Sequence, residues 1–292
     1  PAMLEFCKDI CEVAEPGALL LNYANPMAMM TWACIEYGKV NTVGLCHGVQ
    51  GGHRQIAAAL RVPLDEVDII CSGINHQTWY LDIRHNGRKI GKDELLAGFM
   101  SHPIYAHQEK VRIDVLKRFG FYSTESNGHL SEYLPWYRKR PEQIMDWISM
   151  DDWIHGETGG YLRYSTENRA WFETDFPLFL EEAGKPLADH QRTDEHASYI
   201  LESLETGRVY RGHFNVRNGG VIRNLAPDCI IESPGFVDRF GINMAEGITL
   251  PDACAATCSA SVNVQRMSVK AAMTGDIDLL KQAVLHDPLV GA

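Results

Sequence analysis

The chain has 292 residues, 45% of them hydrophobic and 22% charged, the make-up of a globular protein with enough chain to bury a sizeable core. Its formal charge of -11 excludes a general attraction to nucleic-acid backbones or to anionic membrane surfaces. No apolar run reaches the roughly 18 residues that span a bilayer, and the first residues lack a basic segment followed by an apolar core, so a cytoplasmic protein with no nucleic-acid or membrane partner is expected.

Leu4, Cys7, Cys11 and Ala14 recur at helical spacing, and Pro16-Gly17 ends that helix. The continuous apolar run ALLLNYANP is expected to be a strand buried on both faces. Pro26 opens the helical segment MAMMTWACIEYG, which Gly38 closes, and NTVGLC supplies the next short strand. Helix, strand, helix, strand, helix over residues 1 to about 60 reads as α/β, the later portion of a parallel, doubly wound, Rossmann-like sheet. From VDIICSGINHQTWYLDIRHNGRKI the pattern turns antiparallel, with Asn86-Gly87 as a hairpin signal. Helices are expected at about 105 to 118, 141 to 149 and 188 to 206. GRVYRGHFNVRNGGVIRNL reads as a second hairpin with Asn218-Gly219-Gly220 at or near its turn, and a long helix runs from near Pro251 to Gly275. The pattern places a domain boundary near residue 75. The eight cysteines are scattered, several inside apolar patterns, as befits reduced thiols; without a C-x-x-C a structural zinc site is not expected.

Cys46 and His76 both sit where an apolar strand run ends, and in open α/β sheets ligands gather outside the carboxyl ends of strands. A thiolate with a neutral imidazole suits a transition metal, and two protein ligands leave positions open for substrate. Taken singly, each residue is more often explained by core packing, Cys46 as a small hydrophobe and His76 as a hydrogen-bonded core residue. Asn22 and Asn25 flank a strand terminus before a proline-started helix, where amides orient a hydroxylated ligand and a helix N-terminus faces a cofactor phosphate; plain helix entry is the alternative. His196, preceded by Asp194 and Glu195, has the chemistry of a base near neutral pH, though a helical histidine is often packing. Asn215, Arg217 and Asn218 offer amides and a guanidinium beside a glycine turn, suited to sugar hydroxyls or a carboxylate. His129, Glu132 and Tyr133, and Glu157 with Arg163, are further polar groups among aromatics.

In order, NYANPM, VGLCHGVQGG, CSGINH, FGFYSTESNGHLSEYLPW, HGETGGYLR, DEHASY and GHFNVRNGGVIRNLAPDCIIESP resemble glycoside hydrolase family 4, in particular its α-galactosidase and α-galacturonidase branch, with a slight lean to the latter. The resemblance implies a lactate/malate-dehydrogenase-like fold. Residues 1–74 would be the remainder of an NAD-binding domain and 75–292 an α+β catalytic domain. It further implies bound NAD and a divalent metal, usually manganese, an α-glycoside or oligosaccharide substrate, and a homo-oligomer, dimer or tetramer. In the family mechanism NAD takes a hydride from C3 of the sugar, a base removes the C2 proton, the C1 leaving group is eliminated, water adds, and the hydride returns. By this similarity Cys46 and His76 match the metal ligands, Asn25 and Asn75 contact substrate near the metal, and Asn215 and Asn218 match the substrate-side turn. Asn22 and Asn25 stand on the cofactor side. His47 occupies the place where phosphoglucosidase members carry an acidic proton donor, which argues against a 6-phosphosugar. His196 stands where many members have a tyrosine base, with Tyr199 one turn away as its rival. Nothing before Pro1 supplies the glycine-rich phosphate loop of the family, so the sequence is expected to be a truncated and nearly inactive piece. A 2-hydroxy-acid dehydrogenase, or a non-catalytic sugar-binding remnant, are the competing readings.

Overall fold

The computed structural model describes residues 2–148, 166–167, 169–186 and 192–290. Helix α1 (Ala2–Val13), strand β1 (Leu19–Asn22), α2 (Met27–Glu36), β2 (Asn41–Gly44) and α3 (Gly48–Leu60) follow one another in the expected α/β rhythm. β1 and β2 run parallel, from Leu19 beside Asn41 to Asn22 beside Gly44. The crossover is α2, which buries Met27, Ala28, Thr31, Trp32 and Cys34. β1 ends the described sheet, so its leucines are half-buried instead of enclosed on both faces as their unbroken apolar run suggested.

The antiparallel part begins with β3 (Val67–Ile74) and β4 (Gln77–His85), paired from Val67 opposite His85 to Ile74 opposite Gln77. The boundary expected near residue 75 thus falls in the two-residue turn of this hairpin, within one continuous sheet. Asn86 and Gly87 both take positive φ and lead into β5 (Arg88–Lys89), as their dipeptide signal requires. β6 (Tyr122–Ser123) adds to β4, and β7 (Tyr210–Arg217), β8 (Ile230–Asp238) and β9 (Gly241–Met244) complete the order β1-β2-β7-β8-β3-β4-β5, with β9 on β8. The distant β7–β8 pair is wedged between β2 and β3. It joins β2 through Gly44 beside Asn215 and β3 through Gly73 beside Glu232, while Asn215 and Glu232 face each other. Four residues from four strands therefore lie in one row across the sheet.

Three sequence expectations are corrected. The helix over 105–118 is two, Tyr105–Gln108 and Lys110–Phe119, because Glu109 leaves helical geometry and its buried carboxylate binds Gln55 and Arg112. The helix expected from 188 begins at His196, with Glu195 extended; residues 187–191 lie outside the described ones. After Asn218-Gly219-Gly220 the chain does not return as a strand at Val221. The Asn218 side chain donates to the carbonyls of Ile222, Leu225 and Ala226 and accepts from the Ile222 amide, holding a loop closed until β8.

The helix Asp252–Thr274 buries Cys254, Cys258 and Val262 in one cluster with Ile74, Trp79 and Ile231. Trp79 is fully buried and donates its indole N–H to Cys258 Sγ at 3.5 Å; enclosing a side chain of that size contributes about 3 kcal/mol. Gln77, immediately after His76, donates to Ser261 Oγ on the same helix at 2.6 Å, so the strand leaving the site is anchored. All eight cysteines are free.

Candidate metal centre and sugar cleft

Cys46 lies two residues past Gly44 and His76 three past Gly73, so the row of four strands brings the two segment ends to one place. Cys46 Sγ, a ring nitrogen of His76 and a carboxylate oxygen of Glu125 lie within 4.8 Å of one another. Cys46 Sγ is 3.3 Å from Glu125 Oε1, and His76 Nε2 is 3.9 Å from the same atom. His76 holds φ of +64°, a left-handed backbone costly for a residue with a Cβ, and its Nδ1 is 3.2 Å from the Tyr133 hydroxyl, which orients the ring. Glu125 arrives from the segment between β6 and the helix Asn127–Tyr133, and nothing in its local pattern singles it out.

The electrostatics favour a cation here. Burial, followed by the nearby Glu232 and Glu125 carboxylates, drives the Cys46 thiol far above its ordinary range. Glu232 is buried beneath the site. Desolvation and Glu125 push its pKa up to about 7 against the pull of hydrogen bonds from Thr78, Asn215 and Asn75. The Nδ2 atoms of Asn75 and Asn215 and Oε1 of Glu232 nevertheless lack a well-formed partner among the described residues. Two carboxylates and a thiol crowd one place, and among the described residues no lysine or arginine lines the adjoining cavities. One sulfur, one nitrogen and one carboxylate oxygen with room beside them fit a divalent metal with open positions.

Two cavities of about 290 and 450 Å³ share Asn25, Met27, Asn75, His76 and His129 as a common wall. The smaller is further lined by Tyr23, Cys46, His47 and Glu125, the larger by Glu132, Tyr133, Ser261 and Gln265. Of the residues singled out in the sequence, the structure gathers Cys46, His76, Asn25, Asn75 and His47 around the cleft. Asn215 lies in the buried row beneath it.

Others point elsewhere. Asn22 is 2% exposed and spends its amide on Met27 O, Thr31 Oγ1 and the Ala24 amide, so it shapes the β1–α2 corner. Asn218 is consumed by its loop. His196 is buried with both ring nitrogens engaged, Nε2 with the Cys46 carbonyl at 3.2 Å and Nδ1 with the Tyr210 hydroxyl at 2.7 Å. Desolvation holds its pKa below the ordinary imidazole value. It fastens the metal loop from behind. Tyr199 stacks on Tyr210 beneath Arg192 and lines neither cavity. Glu157 and Arg163 lie outside the described residues.

The fold and this centre define an α/β protein with a candidate metal site outside the carboxyl ends of its strands. The chain belongs to glycoside hydrolase family 4: the family model described as "Family 4 glycosyl hydrolase" matches residues 1–62 and that of its C-terminal domain residues 71–290. The chain is similar to an alpha-galactosidase of Rhizobium meliloti (strain 1021), 76% identical over 292 residues, which are 100% of this chain and 60% of that protein. It is also similar to an alpha-galactosidase of Bacillus subtilis (strain 168), 30% identical over 295 residues, covering 100% of this chain and 65% of the relative. The sequence thus spans less than two thirds of the length of either. In fold it matches the 6-phospho-beta glucosidase of Thermotoga maritima, solved with manganese, NAD+ and glucose-6-phosphate, with a TM-score of 0.68 and 18% identity over 100% of this chain and 66% of that one. No helix among the described residues is long and apolar enough to cross a membrane.

Proposed function

We propose that this chain forms the metal-binding and sugar-binding region of an α-galactosidase that works with NAD and a divalent metal. Residues 1–74 serve the nucleotide side and 75–292 the sugar side. The observation that carries the reading is the meeting of Cys46, His76 and Glu125 at the smaller cavity, with His76 also lining the larger one. The 76% identity to an alpha-galactosidase and the manganese and NAD+ named for the Thermotoga structure support it. When bound, metal and NAD supply polarisation of sugar oxygens and reversible hydride transfer.

The chain's own residues do the rest. Asn25 and Asn75 offer amides to sugar hydroxyls. The Tyr133 oxygen, 3.2 Å from His76 Nδ1, would as its phenolate take the carbon-bound proton, the role the sequence resemblance gave to His196. His47, which lines the smaller cavity, would serve as proton donor to the leaving oxygen. A neutral sugar fits better than a uronate or phosphosugar. Arg217 is paired with Glu36 and Arg266 with Asp228, and among the described residues the cleft presents Glu125 and Glu132 instead of cations; Arg163 lies outside the described residues. A dehydrogenase reading would give Cys46, His76 and Glu125 no task.

The test is hydrolysis of 4-nitrophenyl α-galactoside and α-galacturonide by the full-length enzyme that contains this region, with NAD, Mn²⁺ and a reductant. Galactose release that a chelator abolishes, with no net NADH, is expected. Preference for the galacturonide would overturn the assignment of substrate, and steady NADH accumulation on a hydroxy acid that of the reaction.

A further inference from the structure

Glu195 was not assigned a role by the sequence, yet its carboxylate reaches a residue that lines the cleft, His47. His47 sits at the N-terminus of α3, directly after Cys46, and lines the smaller cavity. Its Nε2 is 2.8 Å from both carboxylate oxygens of Glu195, 148 residues away. The imidazole lies flat on the Tyr23 ring, with centroids 5.6 Å apart and planes 20° from parallel. An exposed ion pair of this kind is ordinarily loose. Here the backbone beneath it is tied down on either side: His196 Nε2 meets the Cys46 carbonyl, the Ala197 amide donates to the Tyr23 hydroxyl, and Gln50 donates to the Asp194 carbonyl. With Nε2 committed, Nδ1 is the ring nitrogen of His47 that makes no hydrogen bond among the described residues.

We propose that Glu195 is a positioning residue that holds His47 as proton donor to the departing glycosidic oxygen. This rests on the galactosidase reading above. As the C1–O bond breaks, its electron pair goes to the leaving oxygen, which takes the proton from His47 Nδ1. The leaving group departs as a neutral alcohol and the imidazole keeps its Nε2 hydrogen on Glu195. An alkyl alcohol is a poor leaving group and needs that proton, whereas 4-nitrophenolate leaves without it.

The experiment compares Glu195→Gln with the unsubstituted protein, both in the full-length enzyme that contains this region and loaded with NAD and Mn²⁺, on methyl α-galactoside and 4-nitrophenyl α-galactoside. The expected result is a loss of roughly tenfold to hundredfold in kcat on the methyl glycoside and less than about threefold on the nitrophenyl one. Misfolding lowers both rates alike and leaves their ratio unchanged, so an unaltered ratio overturns the proposal whatever the yield of folded protein. A crystal structure of Glu195→Ala in which the His47 ring keeps its place on Tyr23 would overturn it independently. If the unsubstituted enzyme cleaves neither galactoside, the underlying reading fails first, and the two failures are distinct.

Discussion

Cys46 Sγ lies 3.3 Å from Glu125 Oε1, although 79 residues separate them in the chain. With His76 they make the proposed donor set, and each should be needed to retain metal. Glu125→Ala or Cys46→Ala is expected to weaken Mn²⁺ binding at least tenfold, since even supporting partners of metal ligands typically contribute about ten- to hundredfold. Titration calorimetry on the folded chain measures this; affinity unchanged in Glu125→Ala would remove that residue from the centre.

Metal uptake should release a proton. Burial and two neighbouring carboxylates keep the Cys46 thiol protonated without metal, and only the thiolate binds. Affinity should therefore fall by about tenfold for each pH unit of acidification, for a single released proton. Calorimetry in two buffers of different ionisation enthalpy reads the proton directly; equal heats in both would contradict it.

Glu232 should make the metal-free chain less stable as pH rises. Its ordinary carboxyl pKa of 4.5 is raised to about 7 by burial, so the native state holds a proton that the unfolded state has lost in this interval. The contribution is fully present below about pH 4.5 and is lost as pH climbs through about 7, on the order of 3 kcal/mol. Glu232→Gln should flatten that slope in urea unfolding between pH 5 and 8. A slope identical to that of the parent would show that other groups cause it.

His196→Ala should act on stability first. The change strands the Cys46 carbonyl and the Tyr210 hydroxyl and opens a cavity, together about 2–4 kcal/mol. A drop in Tm of several degrees is expected. A variant as stable as the parent would mean that the latch described above carries no weight.

Gly73→Ala should dismantle the β3–β4 turn. A Cβ there would come within 2.2 Å of the Gln77 carbonyl oxygen, a backbone atom that cannot swing away. Loss of His76 from the centre should follow, seen as lost Mn²⁺ binding even where the chain still folds. Wild-type metal affinity in a stable Gly73→Ala protein would argue against this coupling.

Much of the site was legible because its signals are local. Strand runs that stop at Cys46 and at Asn75-His76 announce ligands at carboxyl ends, and the Asn-Pro corner announces a helix entry. Polar residues with one good local partner mislead for the same reason. Asn22 and Asn218 carry the side chains of a binding site but find their hydrogen bonds within nine residues along the chain, whereas His196 is held by distant partners, the Cys46 carbonyl and the Tyr210 hydroxyl.

The sequence by itself determined the α/β start, the antiparallel continuation, the Asn86-Gly87 hairpin, the family and the pair Cys46 and His76. Only the tertiary structure decided that β7 and β8 enter between β2 and β3, that Glu125 joins the pair, that Glu232 lies buried beneath it and that Glu195 reaches His47. Periodicity and turn chemistry act over a few residues and can be read along the chain. Sheet order and the meeting of charges across 79 or 148 positions depend on which apolar faces pack together, and burial then sets how each charge behaves.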